Sequence, residues 1–290
     1  MTETATTADT KVRRPKVLTP AEVDAFERKG YHFPERAMSA DEALAYRRRL
    51  EQSEALAGGP LRGSRRSKPH LLFPWANELI RHPAILDAVE DLLGPNLLAW
   101  SSSFFIKDAK DPSFVSWHQD STYWGLSHPH VVTAWVALSR SVVENGCMRV
   151  IPGTHLKDQL PHKDTFAENN LLTRGQEVAV EVNPEDAVDI ELQPGEFSIH
   201  HVRLVHGSDP NTSGERRIGY AIRYIPTYVR QTEGPRDCAT LVRGVDTYHY
   251  FDAELVPKAD LDPEAVAYHK RVTEEAEKIL YRGTDKRNPK

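Results

Sequence analysis

A chain of 290 residues that is 39% hydrophobic and 27% charged has ordinary globular proportions, and its length allows a substantial core, so folding requires neither disulfides nor a structural metal. The net charge of −5, with Lys and Arg spread along the chain apart from one basic cluster at 62–68, excludes the basic face that nucleic-acid binding demands. Two cysteines, a polar start without an apolar leader core, and no run approaching the roughly 18 apolar residues of a spanning helix lead to the expectation of a cytoplasmic protein with no membrane partner.

Residues 1–16 read as a disordered tail, and 17–290 as a single unit whose first part, 17–95, is helical. Thr19-Pro20 is an N-cap followed by proline at the first helical position, with Gly30 as the stop. Ser39 caps a second helix that runs to about Leu56, and a Gly/Arg/Ser-rich loop covers 58–68. A third helix carries Ile85, Leu86, Val89, Leu92 and Leu93 at three- and four-residue spacing before Gly94-Pro95.

From 96 to 226 the texture changes to short β runs at 97–107, 116–122, 131–138, 148–151, 177–182, 188–192, 197–205 and 218–225. Turn signals such as Asn145-Gly146, Pro152-Gly153 and Pro194-Gly195 separate them. Eight such runs indicate a sandwich or barrel. Residues 227–250 read as irregular, with the length of a lid. Asp262-Pro263 then opens a last amphipathic helix. Helices, strands and a closing helix make an α+β chain that is mainly β.

The chemistry concentrates in Trp117-His118-Gln119-Asp120. On a strand, residues i and i+2 share a face, so His118 and Asp120 offer an imidazole and a carboxylate side by side. A second His-x-Asp, His162-Lys163-Asp164, follows Pro161 in a polar segment and reads as a loop. The run after Pro194-Gly195 holds three histidines: His200 and His206, placed on one strand face, and His201 on the other. His206, at the strand end beside Gly207, is the preferred third ligand.

Eleven residues beyond His206 lies Arg217, whose planar fork suits a carboxylate, with Ser208 able to add a hydrogen bond. Arg216 is adjacent, and only one of the two can point inward. Two histidines and one carboxylate leave metal positions open, which indicates non-haem Fe(II) and O2 rather than closed structural zinc. Tyr123 and Trp124, following the metal pair, are candidate walls for a small-molecule substrate, and Arg230, Arg236 and Arg243 candidate contacts for an acidic one.

These pieces, together with Val132-Thr133-Ala134-Trp135, the segment Glu144-Asn145-Gly146-Cys147-Met148-Arg149-Val150-Ile151-Pro152-Gly153-Thr154-His155, and Gln193-Pro194-Gly195-Glu196, resemble the phytanoyl-CoA dioxygenase family from about residue 20 to 226. The resemblance implies a double-stranded β-helix, or jelly-roll, core with flanking helices, and an Fe(II)- and 2-oxoglutarate-dependent dioxygenase. It implies His118, Asp120 and His206 as iron ligands and Arg217 with Ser208 at the distal carboxylate of 2-oxoglutarate. Trp135 would line that pocket, with Ser103 on the first barrel strand. A lysine that some relatives bring from the helical side has Lys68 or His70 as its counterpart. Some relatives halogenate when the carboxylate ligand is missing; Asp120 fills that vertex, so hydroxylation is the expectation. Desaturation, cyclisation or epimerisation at the same centre, and a non-catalytic sensor, are the rival outcomes.

Overall fold

The computed structural model describes residues 16–286, so the tail expected at 1–16 lies outside the described residues except for Lys16, whose backbone N–H donates to Asp91 at 2.7 Å. Thr19 and Ser39 each close a capping box with the glutamate three residues on, starting α1 (Pro20–Lys29) and α2 (Ala40–Leu56). Between them lies β1 (Tyr31–Arg36), a strand inside the segment expected to be helical. It follows Gly30 in the left-handed conformation and pairs with the edge of a sheet. Short α3 (Pro74–Leu79) precedes α4 (Pro83–Leu93), which ends at Gly94.

The β region comprises β2 (Leu97–Lys107), β3 (Val115–His118), β4 (Val132–Ala137), β5 (Met148–Val150), β6 (His162–Asp164), β7 (Gln176–Val178), β8 (Val188–Ile190), β9 (Glu196–His201), β10 (His206–Ser208) and β11 (Arg217–Pro226). After it come β12 (Cys238–Arg243), β13 (Asp252–Ala253) and α5 (Pro263–Leu280). A seven-stranded sheet runs β1-β9-β4-β11-β2-β12-β13 and a four-stranded sheet β3-β10-β5-β8. Met148, Val150 and Ile190 of the small sheet pack on Trp135, Ala137 and Ala221 of the large one, which makes the jelly roll.

Side-chain parity on the large sheet separates packing from chemistry. Ile218, Tyr220, Ile222 and Tyr224 of β11 and Val132, Ala134 and Val136 of β4 face the helices and share one core with Phe26, Leu50, Leu79 and Ile85. The alternate residues, Arg217, Gly219, Ala221 and Arg223 with Thr133 and Trp135, therefore face the space between the sheets.

Several sequence expectations change. The 116–122 run stops as strand at His118, because the Asp120 N–H bonds Val202 O (3.0 Å) and Asp120–Tyr123 coils into a 3-10 turn. The 197–205 run breaks after His201, so His200 and His206 lie on strands of different sheets. His162–Asp164, read as a loop, is a short strand paired with β7. The stretch 227–250, read as irregular, contains β12, which pairs with β2 through Thr240 and Leu241.

A buried ionic network ties the post-barrel segment to the barrel. Glu254 accepts from Lys68 Nζ at 2.7 Å and from Thr240 Oγ1 at 2.6 Å, and pairs with His70 Nε2 at 2.9 Å. His70 Nδ1 meets Ser102 Oγ at 2.6 Å. Burial works against the Glu254 charge, but Lys68 and His70 outweigh it and hold the carboxyl well below its ordinary value of 4.5. Its stabilising contribution is thus complete above about pH 4.5 and is lost as pH falls through the depressed value. Glu254→Gln leaves the buried Lys68 ammonium only Asp237, at 3.7 Å, and is expected to cost about 3 kcal/mol in urea denaturation at pH 7. The loss should shrink progressively below pH 4.5; a cost that stays constant into acid would contradict the assignment. No helix among the described residues is long and apolar enough to cross a membrane.

Candidate active site

His118 ends β3 and His206 begins β10, and the two are direct cross-strand partners. Their ring centroids lie 4.1 Å apart. His118 Nδ1 faces the carbonyls of Ser116 (2.9 Å) and His206 (3.1 Å), and His206 Nδ1 that of Leu204 (2.9 Å). A carbonyl only accepts, so both Nδ1 atoms carry the proton and both Nε2 lone pairs are free. These lone pairs converge on Asp120 Oδ1, at 3.3 Å from His118 and 4.0 Å from His206. One donor atom from each of the three residues lies within 4.8 Å of the others, and all three side chains are buried.

The other carboxylate oxygen, Oδ2, accepts from Thr133 Oγ1 at 3.4 Å, with His200 Nε2 3.7 Å away. Burial opposes the Asp120 charge, but its imidazole neighbours and Arg223 overcome that and keep the carboxyl well below its usual range. Burial, then the adjacent His118 and His200, keep His206 neutral. Two imidazole nitrogens and one carboxylate oxygen facing inward form a set that a divalent cation satisfies, and donors from one side only leave positions open for further ligands.

Next to this cluster two basic side chains face the same chamber. Arg217 and Lys107 are cross-strand partners on β11 and β2, 2% and 0% exposed. Arg217 donates to Gly146 O and lies over the Trp135 ring at 5.5 Å, while its Nε has no partner. Lys107 Nζ donates to Ser208 Oγ at 2.7 Å and to the carbonyl of Asp209. No carboxylate among the described residues pairs with either side chain.

Burial, then the neighbouring Arg217, pushes the Lys107 amine down to about 6, and burial brings Arg217 down to about 10. Gly219 makes room for this arrangement, since a Cβ there would fall 1.8 Å from the Trp135 indole. Arg216 turns outward and binds Glu54 through both terminal nitrogens at 2.7 Å, which settles the choice between the adjacent arginines.

The remaining candidates divide. Trp135 and Ser208 line the chamber with the three donors. Ser103 accepts from Arg223 at 2.9 Å and lines a neighbouring cavity instead, as does Trp124. Tyr123 is engaged elsewhere: its hydroxyl donates to Asp164 at 2.7 Å and Arg174 stacks on its ring at 4.0 Å. Lys68 and His70 are committed to Glu254. His201 packs against His155, and burial, then His155, lowers it to about 3. Lys107 and Arg223 were not candidates in the sequence reading, and Thr133 was named only within the Val132-Thr133-Ala134-Trp135 motif, without a role at the site. The available signal was parity: Arg223 stands an even six residues from Arg217 inside an apolar strand.

The neighbouring cavity is roofed by the end of α5, and Arg174 fastens that roof. Its guanidinium donates to Leu280 O (3.2 Å) and Arg282 O (3.1 Å) and pairs with Asp164. Arg174→Ala is expected to speed amide exchange across Ala276–Arg282 by at least about tenfold, with a smaller change in the large sheet. Equal acceleration in both places would mean global destabilisation rather than an unfastened roof.

A sequence model of the phytanoyl-CoA dioxygenase family matches residues 12–219. Among curated relatives, a probable alpha-ketoglutarate-dependent hypophosphite dioxygenase of Stutzerimonas stutzeri is 30% identical over 159 residues, covering 53% of this chain and 55% of that protein. Human peroxisomal phytanoyl-CoA dioxygenase is 30% identical over 153 residues, 50% of this chain and 45% of that one. The chain thus spans about half the length of the curated relatives it matches. Among solved structures, the non-heme monooxygenase ThoJ, in its apo form, superposes with a TM-score of 0.77 at 38% identity over 89% of this chain and 96% of that one. CytC3 with Fe(II) and alpha-ketoglutarate gives 0.59 at 27% identity, covering 80% and 91%.

Proposed function

The chain belongs to the phytanoyl-CoA dioxygenase family, and from that premise we propose that it is an Fe(II)- and 2-oxoglutarate-dependent dioxygenase, one unit from residue 17 onward, that hydroxylates an unactivated C–H bond of a small molecule. In this reading His118, Asp120 and His206 hold the iron. Arg217 and Ser208, joined by Lys107, hold the distal carboxylate of 2-oxoglutarate beside Trp135. The observation that carries it is the convergence of two imidazole nitrogens and one carboxylate oxygen next to a buried guanidinium and a buried lysine amine without an acidic partner.

When bound, iron and 2-oxoglutarate supply the oxidising power drawn from O2 that breaks the C–H bond. The protein's own contribution is position and exclusion. The backbone carbonyls of Ser116 and Leu204 fix each imidazole tautomer and ring plane. Thr133 holds the second oxygen of Asp120, which leaves the first turned toward the imidazoles. Because Lys107 Nζ donates to Ser208 Oγ, the Ser208 hydroxyl hydrogen is free to donate to an anion. Met148, Val115 and Phe105 close the chamber with apolar surface and keep water from it. Asp120 occupies the vertex that a halide would need, which favours hydroxylation over halogenation.

The test is succinate release from 2-oxoglutarate by the purified protein with Fe(II), ascorbate and O2. Slow, iron-dependent turnover without added substrate, accelerated by the right metabolite, is expected. A protein that binds iron yet releases no succinate under any condition would be a sensor, and the proposal would fail.

A further inference from the structure

Beyond the iron chamber lies a second cavity of about 310 Å3, the size of a small-metabolite site. The two spaces share a wall, since Asp120, Phe105 and Arg223 border both. Arg223 projects from the same inward face of β11 as Arg217 and is 7% exposed. One terminal nitrogen donates to Ser103 Oγ at 2.9 Å. The guanidinium packs between the Phe105 and Trp124 rings, 5.8 and 5.7 Å from their centroids. Its Nε has no partner, and no carboxylate among the described residues is within ion-pair distance.

The other charges around this cavity divide: Arg66 donates to the Leu61 carbonyl at 2.7 Å, and Glu277 is exposed. Lys68 is neutralised by Glu254 and Asp237, at 2.7 and 3.7 Å. Asp237 also accepts from Trp100 Nε1 at 2.7 Å, which fixes that indole. Trp100 and Trp124 meet at 5.0 Å between centroids and form an aromatic wall that leads to Arg223. Asp120 is the nearest acid, but a metal bound there takes up its charge. A buried guanidinium flanked by rings and a hydroxyl is then left without a counter-ion, an arrangement that is costly unless an anion completes it.

We propose that the substrate is a carboxylate whose acid group is held by Arg223 beside Ser103 and whose apolar body lies along Trp100 and Trp124. The C–H bond offered for oxidation is therefore one close to that carboxylate, because Arg223 stands at the partition with the iron chamber. The inference rests on the iron and 2-oxoglutarate reading of that chamber.

The test compares 3-phenylpropionate with its neutral isostere 3-phenylpropanamide, titrated into the full chain loaded anaerobically with Fe(II) and 2-oxoglutarate. Tryptophan fluorescence reads the Trp100–Trp124 wall, and the visible iron–2-oxoglutarate charge-transfer band reads the chamber. The carboxylate is expected to bind about 10- to 100-fold more tightly than the amide. Arg223→Gln should erase that preference and Arg223→Lys should keep part of it.

Equal binding of the two probes, no carboxylate binding up to about 10 mM, or a preference that survives Arg223→Gln would each overturn the proposal. So would a loss of 2-oxoglutarate affinity in Arg223→Gln as large as the loss for the probe, since Arg223 would then serve the co-substrate. Absence of the charge-transfer band in the wild type would instead count against the iron reading, and the probe preference measured by fluorescence in the same protein would still decide the role of Arg223.

Discussion

Asp120→Ala is expected to abolish iron-dependent 2-oxoglutarate turnover while leaving the metal-free fold intact. Replacing a group that merely orients a metal ligand already costs about 10- to 100-fold in metal affinity or activity, so loss of a ligand itself should cost more. Three donors converge, and the carboxylate is the one that brings negative charge; without it only two imidazoles remain. Stability behaves differently. In the metal-free protein the buried Asp120 carboxylate is supported by its imidazole neighbours, Arg223 and one long hydrogen bond from Thr133, so its removal costs part of the stability at neutral pH without unfolding the chain.

The metal response separates the two effects. Fe(II) at about 100 times its dissociation constant should stabilise the wild type by about 2.7 kcal/mol, a rise in Tm of roughly 4–5 °C for a chain of this size. Asp120→Ala should still unfold cooperatively without metal, at a somewhat lower Tm, and show no rise with it. His118→Ala should behave alike, because its Nε2 stands opposite the same oxygen. Full activity in either variant, or an undiminished Fe(II)-dependent rise in Tm, would overturn the ligand assignment.

The ligand residues were legible because each sits in a short, ordered context, an aromatic-flanked His-x-Asp and a His-Gly-Ser followed by arginine. What brings them together was not. That β10 pairs with β3 in register, His206 opposite His118, is a property of the sheet order. The sequence even obscured the break before β10, because Val202, Leu204 and Val205 stay buried as the chain crosses between sheets, so the apolar pattern runs through the turn. Val202 packs with Trp100 and Val131, while Leu204 packs with Trp135 and Val150 in another cluster.

Lys107 was hidden for a related reason. At the end of a strand a lysine reads as a solvent-facing stop, and only its pairing with Arg217 puts it inside. Thr240 and its neighbours in β12 were hidden by context, six residues within a long stretch rich in turn formers.

Arg217→Ala is expected to raise the KM for 2-oxoglutarate by about 100-fold or more, since a bidentate charge-assisted pair disappears and each such hydrogen bond is worth about 1.5–3 kcal/mol. Arg217→Lys should recover only part, because an ammonium lacks the planar fork. Lys107 adds a pH signature that Arg217 cannot. With the amine brought down to about 6 in the free protein, an incoming carboxylate must bind together with a proton. Affinity for 2-oxoglutarate should then be greatest at or below pH 6 and fall by up to about tenfold per unit above it, until the raised pKa of the complex is passed. Arg217, at about 10, stays charged throughout the range from pH 6 to 8 and contributes no slope. Lys107→Met should therefore weaken binding at pH 6 and flatten the dependence, and Arg217→Ala should weaken binding while keeping the slope. Calorimetric titrations of 2-oxoglutarate at pH 6, 7 and 8 in two buffers of different ionisation enthalpy would count the proton directly. A flat profile with no proton uptake in the wild type would remove Lys107 from the anion site, and an unchanged KM in Arg217→Ala would remove Arg217.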